Sequence, residues 1–331
     1  MIASEPILRV RGLCKHFPVY GTGLRRRQVG VVRAVDNVRF DLMGGETLGL
    51  VGESGCGKTT AARTILRALK PTAGEVLLRT RGRTVDLAAL SERRLKPLRP
   101  RMQMIFQDPF SSLNPRMTVG QIVGEGLAIH HLARGRERTD RVVEILRKVG
   151  LDGDHRGRYP HEFSGGQRQR IGIARALVMN PDLVICDEAV SALDVSVQAQ
   201  VINLLEDLQE ELGLTYIFVA HDLSVVRHIA DRVAVMYAGR IVELAPTGQL
   251  FADPRHPYTR ALLAAVPYPD PDRPMTATLT GEVADPGDLP PGCAFAPRCR
   301  ECIDRCATVR PILRPVGEGR EAACHLLSDD Q

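Results

Sequence analysis

The chain has 331 residues, 44% of them hydrophobic and 25% charged, which are ordinary globular values that exclude wholesale disorder and allow roughly two domains of about 150 residues each. Lys and Arg number 44 against 39 Asp and Glu, a net +5, and aromatics make up 4% with no tryptophan; so mild a charge neither demands nor excludes a polyanion, while the missing aromatics weaken the case for base stacking. No run of about 18 apolar residues encodes a membrane span, and the N-terminus lacks the basic and apolar regions of a secretory signal, so the cytosol is the expected compartment.

In chain order, the first sharp feature is the basic run Arg25 to Arg27, read as a solvated loop. Thr47 to Val51 follows as a short apolar strand, then a glycine-rich turn, then a helical stretch from Thr59 to Leu69. The turn spells Gly52-Glu53-Ser54-Gly55-Cys56-Gly57-Lys58-Thr59, a complete G-x-x-x-x-G-K-[ST] between a strand and a helix. Glycines let backbone N–H groups curl into an anion nest, and the following helix adds its positive end. Lys58 supplies a charge for the β- and γ-phosphates, the Thr59 hydroxyl is placed for Mg²⁺, and Thr60 completes the stretch.

Gly120 to Gly157 is rich in helix formers, notably Arg141 to Val149, and reads as a separate helical lobe. Phe163-Ser164-Gly165-Gly166-Gln167 then precedes a helical stretch from Arg168 to Met179; Ser-Gly-Gly at a helix start is a second phosphate nest with a hydroxyl added. Leu183 to Cys186 is a buried strand that ends in Asp187 and Glu188. Asp187 suits Mg²⁺, directly or through its water, and Glu188 suits a general base for the attacking water. Ser196 to Leu212 carries apolar residues at spacings of three and four, a helix. Thr215 to Ala220 is another buried strand, and Arg232 to Ala245 forms a hairpin about Ala238-Gly239. Alternation of this kind, with continuous apolar strands, implies a largely parallel sheet covered on both faces.

Beyond about residue 255 the composition shifts. Pro267 to Pro291 holds seven prolines, too many for helix interior or central strand, so a boundary is placed near Phe251 to Pro257, followed by a small loop-rich tail. Five of the eight cysteines (Cys293, Cys299, Cys302, Cys306 and Cys324) crowd this tail. In a reducing compartment they are not a disulfide framework. Four thiolates on a proline-stiffened segment suit an iron–sulfur cluster or Zn²⁺, and free thiols are the bland alternative. Cys299-x2-Cys302 is a tighter spacing in which Cys302 could replace one ligand.

Together these motifs resemble an ATP-binding-cassette (ABC) ATPase over most of residues 7 to 250. The resemblance places Gln107 at the Q-loop glutamine, Ser191 to Asp194 at the D-loop, His221 at the switch histidine and Phe17 at the adenine-stacking aromatic. Phe163 stands where the signature usually has Leu, and Ala189 where many members have Pro after the catalytic Glu. The implied fold is α/β: a P-loop ABC-type nucleotide-binding domain over residues 1–255, with a mostly parallel sheet, an antiparallel N-terminal β part and a helical lobe at about 120–178. A small Cys-rich C-terminal extension occupies residues 256–331. The implied ATP and Mg²⁺ site uses Gly52, Ser54, Gly55, Cys56, Gly57, Lys58, Thr59, Thr60 and Phe17, with Asp187 and Gln107 also toward the metal. Ser164, Gly165, Gly166, Gln167 and Asp194 would complete the site of an opposing subunit, and Glu188, His221 and Gln107 would serve hydrolysis.

The stretches Phe106 to Arg116, Asp187 to Leu205 and His256 to Leu263 resemble the ATPase subunits of dipeptide and oligopeptide permeases, the second of the two paired ATPases in particular. That resemblance implies peptide import, with nickel and glutathione systems sharing the features. It also implies a second ATPase subunit in a heterodimer, two membrane permeases, an extracytoplasmic solute-binding protein and a peripheral place on the cytoplasmic face of the membrane. It associates Cys293, Cys299, Cys306 and Cys324 with a [4Fe–4S] cluster. The rival reading, a soluble cassette ATPase on nucleic acid or ribosomes, usually needs two cassettes or a long coiled coil; this chain has one cassette and no sustained heptads, and no nucleic-acid partner is expected.

Overall fold

A computed structural model describes residues 5–21, 27–108, 112–265, 281 and 284–327. Residues 25 and 26 of the basic run, 109–111 of the segment after Gln107, and most of the proline-rich stretch lie outside the described residues. Strands β1 (Leu8–Tyr20), β2 (Gln28–Leu42), β4 (Ala73–Thr80) and β5 (Arg83–Asp86) form an antiparallel sheet in the order β2-β1-β4-β5. The second sheet has eight strands. Its centre is β3 (Thr47–Val51), β8 (Thr215–Ala220) and β7 (Leu183–Asp187), every residue of which is buried. These pair in parallel with one another and with the flanking β6 (Met102–Ile105) and β9 (Arg232–Tyr237).

Strand alternation divides the apolar residues between two cores. Leu48, Leu50, Ile185, Ile217 and Val219 face the antiparallel sheet, while Val184, Cys186, Tyr216 and Phe218 face the other way. A sheet buried on both faces has no polar side to alternate with, so its strands read as unbroken apolar runs.

Helix α1 (Lys58–Ile65) follows β3, and the short α2 (Glu92–Leu95) leads toward β6. α1 ends earlier than its predicted Leu69 because Arg67 adopts a left-handed φ of 57°. Helices α3 (Val119–Ile129), α4 (Gly135–Lys148) and α5 (Gly165–Leu177) pack on the second core. α4 begins well before the predicted Arg141, and α5 begins at Gly165 instead of Arg168. In α5 the reason is a capping box: Ser164 accepts from the Gln167 N–H, and the Gln167 side chain accepts from the Ser164 N–H. α6 (Val195–Leu212) is capped by Asp194, and α7 (Leu223–Ile229) by Asp222.

Among the described residues, the C-terminal tail carries short helices and two short strands between its loops. After β10 (Arg240–Pro246), α8 (Thr247–Ala252) and α9 (Pro257–Ala264) comes α10 (Asp304–Thr308), then β11 (Arg314–Gly317) and β12 (Arg320–Ala322). β12 pairs antiparallel with β10, and β11 with β12, so the tail covers an edge that β10 would otherwise leave open. The buried Glu243 carboxylate accepts the N–H groups of Arg255 and His256, each at 2.8 Å. Tyr237, Tyr258, His256 and Phe295 form one aromatic cluster across the junction, and Phe295 belongs to the same core as the lobe helices.

Candidate functional site

Parallel register brings the motifs together. Val51 lies opposite Ala220, Asp187 opposite Val219, and Ile105 opposite Cys186. The chain therefore leaves β3, β8, β7 and β6 along one edge of the sheet, and Gly52, His221, Glu188 and Gln107 emerge side by side. Loops at the carboxyl ends of parallel strands form the usual ligand crevice of such a fold.

The loop from Gly52 to Gly57 needs its glycines for space as well as rotation. Gly52 and Gly57 have φ of 151° and 104°, and a Cβ there would come within 2.2 Å of the Met236 carbonyl oxygen and 2.0 Å of the Ala34 carbonyl oxygen. Gly57 caps α1 in a left-handed conformation, which turns the first N–H groups of the helix toward the loop's concavity. The Lys58 ammonium lies across the loop, donating to the carbonyls of Gly52 at 2.8 Å and Glu53 at 3.0 Å. Cys56 is almost wholly buried, and burial raises its thiol pKa, so only its backbone can face a ligand. Gly55 has φ of 80°; Thr60, in the first turn of α1, accepts from the Thr64 hydroxyl.

The Thr59 hydroxyl donates to Asp187 Oδ1 at 2.8 Å, and Arg63 stands 4.0 Å from the other carboxylate oxygen. Burial raises the Asp187 pKa, against the opposing pull of Thr59 and Arg63. Two adjacent oxygen donors on rigid elements are the hard-ligand set that Mg²⁺ takes.

Glu188 sits at a left-handed φ of 48°, a conformation that costs a non-glycine residue about 1 kcal/mol or more. It is held there by its N–H to the Val219 carbonyl at 3.0 Å and by the Ser191 hydroxyl and N–H on its own carbonyl. The Gln107 amide donates to Glu188 Oε2 at 2.7 Å, and His221 Nδ1 approaches the same oxygen at 3.6 Å. Gln107 thus reaches the carboxylate; the Thr59–Asp187 pair makes its hydrogen bond without it.

Ser164 and Gln167 pair with each other in the α5 cap, and among the described residues none of Ser164, Gly165, Gly166 and Gln167 hydrogen-bonds to residues 52–60. Gly166 is packed so closely that a Cβ would lie 2.6 Å from Val197. Asp194 accepts from Val197 N–H and the Ser196 hydroxyl, which lowers its pKa. Phe17 lies on β1, opposite Val32 and partly exposed, with the Lys15 ammonium 4.8 Å from its ring centre.

Cys293, Cys299, Cys306 and Cys324 line one small pocket with His256 and His325. Burial pushes the Cys293 thiol up to about 11 and raises those of Cys299 and Cys324. Cys302 is exposed and not among the residues that line the pocket, with its thiol 3.7 Å from the Ile303 carbonyl; desolvation first, and then the nearby Cys306 thiol, raise its pKa. Cys14, His16 and Asp36 also converge within 4.8 Å, but Arg240 already donates to Asp36 at 3.0 and 2.7 Å and neutralises it. The sequence reading missed Glu53, Tyr258 and Arg298. Tyr258 hydroxyl accepts from the Glu53 N–H at 2.9 Å, and Arg298 pairs with the Glu53 carboxylate through two hydrogen bonds of 2.7 and 2.9 Å.

Two family models match: "ABC transporter" over residues 35–191 and "Oligopeptide/dipeptide transporter, C-terminal region" over residues 242–306. A probable peptide ABC transporter ATP-binding protein of Sinorhizobium fredii is 53% identical over 98% of this chain and 90% of its own. The oligopeptide transport ATP-binding protein AppF of Bacillus subtilis is 52% identical over 98% of both chains. Among solved structures, the dimeric post-hydrolysis state of the ATP-binding cassette MJ0796, bound to ADP and Pi, is 28% identical with a TM-score of 0.62, covering 72% of this chain and 98% of that one. The cassette cbiO1 of Clostridium perfringens is 29% identical with a TM-score of 0.63, covering 76% and 92%.

Proposed function

The chain belongs to the ABC transporter ATP-binding family, and on that premise we propose that it hydrolyses ATP to drive import of di- and oligopeptides through a separate pair of membrane permeases. Among the described residues no helix is long and apolar enough to cross a membrane, and the permease pair would supply the translocation path. A heterodimer with a second ATPase, delivery by an extracytoplasmic solute-binding protein and a peripheral place on the cytoplasmic face complete the reading.

The observation that carries it is the convergence of Lys58, Thr59, Asp187, Glu188, Gln107 and His221 at one edge of the sheet, with the Ser164 nest left outside it. The loop amides and Lys58 bind the triphosphate of one subunit. Thr59 and Asp187 would hold Mg²⁺, which screens the phosphate charge. The Ser164-Gly165-Gly166 nest serves the opposing subunit's nucleotide, as the helix-start amides suit a terminal phosphate. Glu188 orients and deprotonates the attacking water, while Gln107 and His221 hold its carboxylate and respond to the γ-phosphate. Cleavage removes the group that bridges two subunits, and the sandwich opens.

The four cysteine thiols fit a bound metal group. They line one pocket, and we assign Cys293, Cys299, Cys306 and Cys324 to a [4Fe–4S] cluster, with Zn²⁺ on the same thiolates as the alternative that metal analysis separates. Such a cluster supplies a covalent staple to a small segment.

The test is ATP-dependent peptide uptake by proteoliposomes holding the full complex with its cognate permeases. Uptake is expected with wild type and lost with Glu188→Gln, while nucleotide binding persists. ATP hydrolysis that no peptide and no permease alters would overturn the transport reading.

A further inference from the structure

Every polar group of Glu53 is engaged, and two of its partners come from the C-terminal extension. Its N–H donates to the Tyr258 hydroxyl on α9. Its carbonyl accepts from the Lys58 ammonium at 3.0 Å and the Cys56 N–H at 3.3 Å. Its carboxylate meets the Arg298 guanidinium in a two-bond fork, the geometry in which arginine and carboxylate bind best. The Arg298 side chain is only 5% exposed and that of Glu53 20%, so the pair is poorly screened. Arg298 also stacks over the Tyr237 ring at 5.9 Å, and Cys299 follows it directly in the chain.

We propose that Arg298 is a positioning residue for ATP binding: the extension grips the phosphate loop through Glu53, holding its backbone in the anion-accepting shape and keeping its carboxylate neutralised within the loop. This rests on the reading of residues 52–59 as the ATP site. Two physical consequences follow from the geometry. Without Arg298 the loop loses an anchor and must be ordered when nucleotide arrives, which weakens binding. The released Glu53 carboxylate also becomes an uncompensated negative charge on the loop that should meet the triphosphate. The second effect has a sign that simple loosening lacks, because neutralising Glu53 relieves it.

The experiment measures the Kd of a fluorescent ATP analogue for the full-length chain, with kcat and KM alongside, in Arg298→Ala, Arg298→Lys, Glu53→Gln and the double variant Arg298→Ala/Glu53→Gln. Arg298→Ala is expected to weaken binding about tenfold and Arg298→Lys less, since lysine keeps the charge and loses the fork. The double variant is expected to recover most of the loss, and the change is expected in KM more than in kcat. Should Arg298→Ala fail to fold, Arg298→Lys with and without Glu53→Gln carries the same comparison. Wild-type affinity in both Arg298 variants, or a double variant as weak as Arg298→Ala, overturns the proposal while leaving the ATPase reading intact. A wild-type chain that binds no nucleotide overturns both.

Discussion

The Gln107 side-chain amide donates a 2.7 Å hydrogen bond to Glu188 Oε2, joining a residue just beyond β6 to one just beyond β7. Glu188 also carries the strained φ of 48°, so its backbone and its carboxylate are each held in place at the position proposed to activate water.

Glu188→Gln keeps the shape and the Gln107 contact but cannot take a proton. Turnover is expected to fall about 10²- to 10⁴-fold with ATP affinity little changed, and ATP-bound dimers should accumulate. Steady-state ATPase assays and gel filtration with ATP check both halves.

Asp187→Asn leaves a partner for the Thr59 hydroxyl and removes the charge that suits Mg²⁺. The Mg²⁺ concentration for half-maximal ATPase activity is expected to rise roughly tenfold, on the order of the loss when one charged metal partner is removed. A Mg²⁺ titration at fixed ATP reads this directly.

Ser164 has a local role as well as its assigned role across the dimer, because it caps α5. Ser164→Ala is expected to lower stability by about 1 kcal/mol, while Ser164→Asp keeps a capping oxygen and adds a negative charge against the phosphate. Denaturation should therefore separate the two variants in one order, and ATPase activity in mixed dimers should show both defective.

His256 is buried and its pKa is lowered to about 4, chiefly by desolvation, and its Nδ1 accepts from the Tyr258 N–H at 3.0 Å. The unfolded chain binds this proton more readily than the folded one. Its contribution to stability is thus complete above about pH 6.5 and declines as pH falls toward about 4, by about 3 kcal/mol in all. Urea melts between pH 7.5 and 4.5 are expected to show this decline in wild type and a shallower one in His256→Asn, which keeps a capping oxygen without titrating.

Anaerobic purification is expected to yield a chain carrying iron and sulfide, with Cys293→Ser or Cys306→Ser losing most of both. Cys302→Ser should retain them, since Cys302 is exposed whereas the four assigned ligands share one pocket. Iron, zinc and sulfide analysis with optical spectra decides the outcome.

Local chemistry made much of this molecule legible in sequence. The glycines of residues 52–57, Lys58, the acids after an apolar strand and the Ser-Gly-Gly nest each announce a function, because backbone amides, hydroxyls and carboxylates can do only a few things at such spacings. The apolar strands β3, β7 and β8 were equally plain, since a strand buried on both faces must be apolar throughout. The folded chain alone decided which partners those groups met. Parallel register set Gln107 and His221 against Glu188. Closure of β12 on β10 made residues 314–322, beyond most of the cysteines, an added sheet edge. The bond from Arg298 to Glu53 spans 245 positions of chain, and no local pattern can signal a contact whose two ends are joined only through the packing of everything between them.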